Sequence, residues 1–160
     1  MITGMQHSSF TVSNLEEAIH FFRDLLGFEA TIIREVKGER MEKLHKIPGA
    51  SLRICNIITP GNGHIELLEF TNPKGKKIDL TTCNHGVAHI AFLVDDIQKT
   101  YEELSAKGVN FNCPPLPITA GELKGWNGCY LRGLDGITFE LMEPPKGVET
   151  HPVTGFIVNK

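Results

Sequence analysis

Two histidines and two glutamates, His7, Glu66, His89 and Glu140, hold corresponding places in two halves of this 160-residue chain. Residues 7–16 read HSSFTVSNLE and residues 89–98 read HIAFLVDDIQ. Further on stand IELLE at 65–69 and FELME at 139–143. Each half opens with a histidine and closes with a glutamate, both in strand-like sequence. Two imidazoles and two carboxylates facing one point make an N2O2 donor set for a divalent cation. Such a set suits zinc, nickel or cobalt, and also manganese or iron, since no thiolate selects among them. A cation with open coordination positions polarises a carbonyl and eases loss of the neighbouring C–H proton. Glu140 and Glu66 are then the candidate bases. Return of that proton to the other carbon, or to the other face, completes an isomerisation.

The elements that must position these groups are legible from periodicity. In 5–12, Ser8, Phe10 and Val12 alternate with His7, Ser9 and Thr11, as on a strand with one face inward. A helix follows, with Asn14 as cap and Glu17 at capping-box spacing. Its apolar stripe is Leu15, Ala18, Ile19, Phe22, Leu25 and Leu26, and Gly27 ends it. The second half repeats this. Ile90, Phe92 and Val94 alternate with His89, Ala91 and Leu93. Asp95 or Asp96 caps a helix bearing Ile97, Tyr101 and Leu104, which stops at Gly108. An offset of 82 aligns His7 with His89, Phe10 with Phe92 and Leu15 with Ile97.

Strands are expected at 28–34, 51–58 and 64–70, and at 109–113, 128–133 and 137–142, with a tight turn at Asp135-Gly136. Each half therefore reads β-α-β-β-β. One helix covers one face of such a small sheet, and the other face needs a partner. The expected fold is α+β: two βαβββ modules side by side, forming a curved mixed sheet around a metal-binding cleft. The modules run over 5–72 and 86–144, in one domain spanning 1–160, with a Lys-rich linker at 74–86 and a tail at 145–160. Residues 35–50 form an insertion without an equal in the second half, and Arg40–Lys46 suggests a turn or two of helix.

A buried carboxylate is costly unless it is paired or ligated. Ligation of Glu66 and Glu140 removes that cost, while Ile65, Leu67, Phe139 and Leu141 support the opposite strand faces. Ser9, Thr11, Asn56, His64, Leu68, Phe70, Ala91 and Met142 are candidates to line the cleft. Arg53 and Arg132 either meet an anionic substrate or face solvent. Trp126, in the Gly-rich stretch 121–130, either covers ligand or packs within its loop.

Composition narrows the classes. A net charge of −3 with no basic stripe argues against nucleic acid. No apolar run is long enough to span a membrane, and no signal-peptide pattern opens the chain. Cys55, Cys83, Cys113 and Cys129 show neither CxxC spacing nor a disulfide framework, which gives a cytoplasmic address as the default.

The stretches HSSFTVSNLEEAIHFFRDLLGF, IELLEF, GVAHIAFLVDDI and YLRGLDGITFELMEP resemble the vicinal oxygen chelate superfamily. That group includes glyoxalase I, methylmalonyl-CoA epimerase and extradiol dioxygenases. The resemblance spans about residues 5–144 and implies paired βαβββ modules. It puts the family's metal positions on His7, Glu66, His89 and Glu140, and it implies a homodimer. Glyoxalase I carries all four ligands in this pattern. Thr11 and Phe70, however, stand where that enzyme carries an arginine and an asparagine that help hold glutathione. Methylmalonyl-CoA epimerase has glutamine at the place of Glu66. The resemblance thus implies a divalent-metal-dependent lyase or isomerase acting through an enediolate on a small hydroxycarbonyl or thioester substrate. An epimerase of the methylmalonyl-CoA type and a noncatalytic small-molecule binder are the alternatives. Substrate, metal and choice of base stay open.

Overall fold

The computed structural model describes residues 1–61 and 63–147; of the tail expected at 145–160, residues 148–160 lie outside them. The chain separates into two compact units, Met1–Ile78 and Asp79–Lys160, and the division falls inside the Lys-rich stretch. The fold is α+β, with one five-stranded mixed sheet in each unit.

In the first unit, β1 (Ser8–Thr11) leads into α1 (Leu15–Ile19), which continues as a π-helical segment, His20–Leu25. Asn14 caps α1 as its sequence suggests. Its side chain accepts from the Glu17 N–H at 3.1 Å and donates to the Glu17 carboxylate at 3.0 Å. The π segment buries the adjacent Phe21 and Phe22 together, where the α-helical stripe calls only for Phe22. Gly27 ends the helix at φ 80°, a conformation that favours glycine. The expected strand at 28–34 is split into β2 (Glu29–Ala30) and β3 (Arg34–Lys37). Both pair with β4 (Ser51–Ile58), and β4 pairs with β5 (His64–Asn72). β5 then runs parallel to β1, placing Ser9 beside Glu66 and Phe10 beside Leu67. Helix α2 (Glu39–His45) occupies the insertion, as the sequence suggests.

The two faces of this sheet have different fates. Cys55, Ile57, Ile65 and Leu67 alternate onto one face and are buried, as are Leu15, Ala18, Ile19 and Phe22 of the helix that covers them. Arg53 sits on that face too. Its guanidinium donates to Glu69 at 2.8 Å and holds Glu16 of α1. It thus ties helix to sheet, on the face opposite Glu66. On the Glu66 face, α2 sends Met41 against Leu52, with Ile54, Leu68, Phe70 and Val36 around them. Leu68 and Phe70 share the Glu66 face as expected, but they serve this packing.

The second unit repeats the plan. β6 (His89–Leu93) is followed by α3 (Ile97–Ala106), capped by Asp96, whose carboxylate accepts from the Lys99 N–H at 2.9 Å. The strands β7 (Asn110–Phe111), β8 (Leu116–Pro117), β9 (Asn127–Arg132) and β10 (Thr138–Glu143) complete the sheet. β10 lies between β6, to which it is parallel, and β9, to which it is antiparallel. Phe139, Leu141, Leu131 and Cys129 are buried on one face, and Phe92 stacks on Phe139 at 5.8 Å. Asp135-Gly136 forms a turn between β9 and β10, with Asp135 at φ 59°. Trp126 is buried, in keeping with packing in its loop.

Candidate metal centre

Strand register carries each histidine and glutamate of a half to one place. β5 sets Glu66 beside Ser9 of β1, so His7, two residues before Ser9, projects from the same face. His7 Nε2 lies 3.7 Å from Glu66 Oε2. In the second unit, β10 sets Glu140 beside Ala91 of β6, and His89 is again two residues earlier. His89 Nε2 lies 3.2 Å from Glu140 Oε2. The four predicted residues therefore form two pairs, one per unit, at topologically equivalent positions. Within either unit the described His, Cys, Asp and Glu side chains form no larger donor group than these pairs.

The pairs suit a cation. Two donors about 2.1 Å from one ion, at octahedral or tetrahedral angles, stand about 3.0–3.4 Å apart. The second pair meets that span and the first is slightly wider. The Nδ1 edge of His7 is held by the Gln6 side-chain oxygen. A proton on Nδ1 in that contact would leave the Nε2 lone pair available to a cation on the Glu66 side. Burial raises the Glu140 pKa, and His89 opposes the rise. A carboxylate paired with an imidazole in a part-buried place can serve as a metal ligand, as a proton acceptor or as a structural pair.

Sequence reasoning missed part of the surroundings. Tyr130 is directly across from Glu140 in the β9–β10 hairpin, and its ring centre is 5.2 Å from that of His89. Burial, and then the Glu140 charge, push the Tyr130 phenol pKa upward. The signal was present: a turn centred on Asp135 makes 130 and 140 partners. Gly128, opposite Met142, leaves room that a Cβ would fill, 3.0 Å from the Met142 sulfur and 3.6 Å from Glu140 Oε1. Met142 is itself buried, so it gives the Glu140 face packing more than open lining. Arg132 donates to Thr138, to Asn112 at 3.1 Å and to the Gly136 carbonyl at 3.3 Å; these contacts brace the turn. In the first unit the ring of His64, on the Glu66 face, is 5.5 Å from that of His7.

The sequence profile of the Glyoxalase/Bleomycin resistance protein/Dioxygenase superfamily matches residues 4–141. The chain belongs to that superfamily. Among its relatives is a 2-epi-5-epi-valiolone epimerase from Actinomyces sp, 29% identical over 90% of this chain and 81% of that protein. A probable chloroplastic lactoylglutathione lyase from Arabidopsis thaliana is 26% identical over 87% of this chain, but that match covers only 35% of the lyase. The crystal structure of a glyoxalase family protein from Bacillus cereus superposes with a TM-score of 0.73 at 25% identity, covering 91% of this chain and 96% of that one. Two of these relatives are named as enzymes, an epimerase and a lyase. No described helix is long and apolar enough to cross a membrane.

Proposed function

We propose that the protein is a divalent-metal-dependent isomerase or lyase that moves a proton beside a carbonyl, with His7, Glu66, His89 and Glu140 as the ligands of one ion. The observation that carries the proposal is the duplicated pair: a His Nε2 and a Glu Oε2 at 3.7 Å in one half and 3.2 Å in the other, in the same register on equivalent strands. When bound, the ion supplies Lewis acidity toward adjacent substrate oxygens. Zinc, nickel or cobalt suits this donor set, with manganese and iron as further candidates.

The chain's own residues supply the rest. Glu140 or Glu66 takes the C–H proton; when configuration inverts, the other glutamate starts in its carboxylic acid form and gives its own proton to the opposite face, so the two exchange protonation states. Burial already makes Glu140 the more basic than an ordinary glutamate, and it is our first candidate. The His7 and His89 Nε2 edges face those carboxylates, where they would share the ion with them. The two halves act as a single domain, and a homodimer is the expected assembly. The four cysteines are free thiols, which supports a reducing, cytoplasmic setting.

Within this class, epimerisation of a small hydroxycarbonyl is favoured over glutathione chemistry. Phe70, at the place where glyoxalase I has its glutathione-binding asparagine, is packed with Leu52 and Met41 under α2. The epimerase relative also matches over most of its length, whereas the lyase does not. The deciding experiment is metal-reconstituted turnover in D2O on hydroxyketones, epimerisable acyl-CoAs and glutathione hemithioacetals, with native mass spectrometry for the bound ion. Metal-dependent deuterium incorporation into a hydroxyketone or acyl-CoA supports the reading. A metal-loaded protein that binds these compounds without exchanging a proton is a binder, and the enzymatic reading fails.

A further inference from the structure

Asn56 is the cross-strand partner of Glu66, so the two side chains rise from one face of the first sheet. Its backbone is fixed: the Asn56 N–H donates to Thr31 Oγ1 at 3.0 Å, and the Thr31 N–H donates to the Asn56 carbonyl at 2.9 Å. Its side-chain oxygen is buried and, among the described residues, accepts no hydrogen bond. Buried polar atoms are nearly always paired, and an exception needs a reason.

The described neighbours on that face leave it without a donor: His64, diagonally across the strand pair, makes no hydrogen bond to it. Ile54 and Ile58 flank Asn56 on its own strand, and Ile54 belongs to the apolar packing beneath α2. The Glu66 carboxylate, when ionised, only accepts. The missing donor is therefore supplied from outside the chain. An ammonium group is disfavoured beside residues that would hold a divalent cation, because like charges repel. A neutral hydroxyl meets the requirement.

We propose that Asn56 is a substrate-positioning residue, its Oδ1 accepting a hydrogen bond from a substrate hydroxyl outside the oxygen pair beside the transferred proton. The inference rests on the proton-transfer reading of the same site and sharpens it: the substrate is a polyhydroxylated carbonyl compound. Tyr130 holds the equivalent place opposite Glu140, so each half carries a polar group across from its glutamate.

The test compares 2-hydroxycyclohexanone with 2,6-dihydroxycyclohexanone on the metal-loaded full chain, reading deuterium exchange from D2O. Wild type should favour the second compound by about tenfold in kcat/KM, the worth of one net hydrogen bond. Asn56→Leu should cut that preference to less than about twofold, mainly through KM, and leave exchange of the monohydroxy compound and metal content near wild type. Asn56→Ala should behave likewise, and stands in should the leucine variant fail to fold. Retained preference in both variants overturns the assignment. Loss of the ion in both also overturns it, since Asn56 would then be orienting Glu66. Should wild type exchange neither compound with any metal, the proton-transfer reading fails on its own. The Asn56 assignment is then read from binding: the dihydroxy ketone should raise the wild-type melting temperature more than that of Asn56→Leu, and equal shifts overturn it.

Discussion

Replacing Arg53 with methionine separates a structural arginine from a ligand-binding one. Its guanidinium is 2.8 Å from Glu69, whose side chain is only 12% exposed, and it also holds Glu16 of α1. Breaking a fully buried pair by removing one partner costs about 3–5 kcal/mol, while an exposed pair is worth about 0–1 kcal/mol. Arg53 is 23% exposed, so this pair lies between those limits. Stranding Glu69 should then cost about 2–3 kcal/mol, between the exposed and the buried values. At about 2–4 °C per kcal/mol for a chain of this size, Arg53→Met should melt about 4–12 °C below wild type. Adding Glu69→Leu removes the stranded charge and should recover most of the loss. Glu16→Gln alone should cost under about 1 kcal/mol, since Glu16 is exposed. The sign of the pH dependence follows from Glu16, whose pKa is lowered from 4.5, chiefly by its hydrogen bond to Arg53. A carboxylate with a depressed folded pKa contributes its stability above the unfolded value and loses it as pH falls through the folded one. The Glu16 part of the Arg53 effect should therefore be present at neutral pH and fade below about pH 4.5. Differential scanning fluorimetry of the four proteins at pH 7 and pH 4 reads all of this, beside kcat/KM at 20 °C. An Arg53→Met protein with unchanged melting and a raised KM would refute the reasoning and return Arg53 to the ligand.

Four further outcomes are expected. His89→Ala should lose both bound ion and turnover, measured by native mass spectrometry and deuterium exchange. Glu140→Gln should keep its fold, retain more metal than activity, and lose about 10²–10⁴ in rate if Glu140 is the base; normal exchange with metal bound would exclude it. Asn14→Ala should cost about 1 kcal/mol by removing the α1 cap, read by urea denaturation. Exposed Cys83 should alkylate first at pH 8, and Cys129, whose thiol burial pushes up to about 11, only on unfolding, read by peptide mass spectrometry.

Much of the fold was written in local pattern. The Asn14 and Asp96 caps, the alternation around Phe10 and Phe92, and the Asp135-Gly136 turn each follow from chemistry within a few residues. The His–Glu pairings were legible through duplication, because no local spacing links residues 59 or 51 apart. What local pattern left open depends on partners distant in sequence. Arg53 is polar on an otherwise apolar face, and only the arrival of Glu16 from α1 makes that tolerable. Tyr130 and Asn56 gain meaning through hairpin register, which strand periodicity alone does not fix. The split at β2 and β3 reflects two separate pairings along β4, a tertiary choice that propensity cannot express.

Helix α2 gives one half something its counterpart lacks in kind. After β3 the chain builds a helix over Leu52 and Phe70, whereas after β8 it runs into the stretch leading to Trp126. Two glutamates in matching registers would be equivalent if their surroundings matched. An oily wall beside Glu66, with Gly128 and a tyrosine beside Glu140, ends that equivalence, so the two carboxylates meet different polarity and different room.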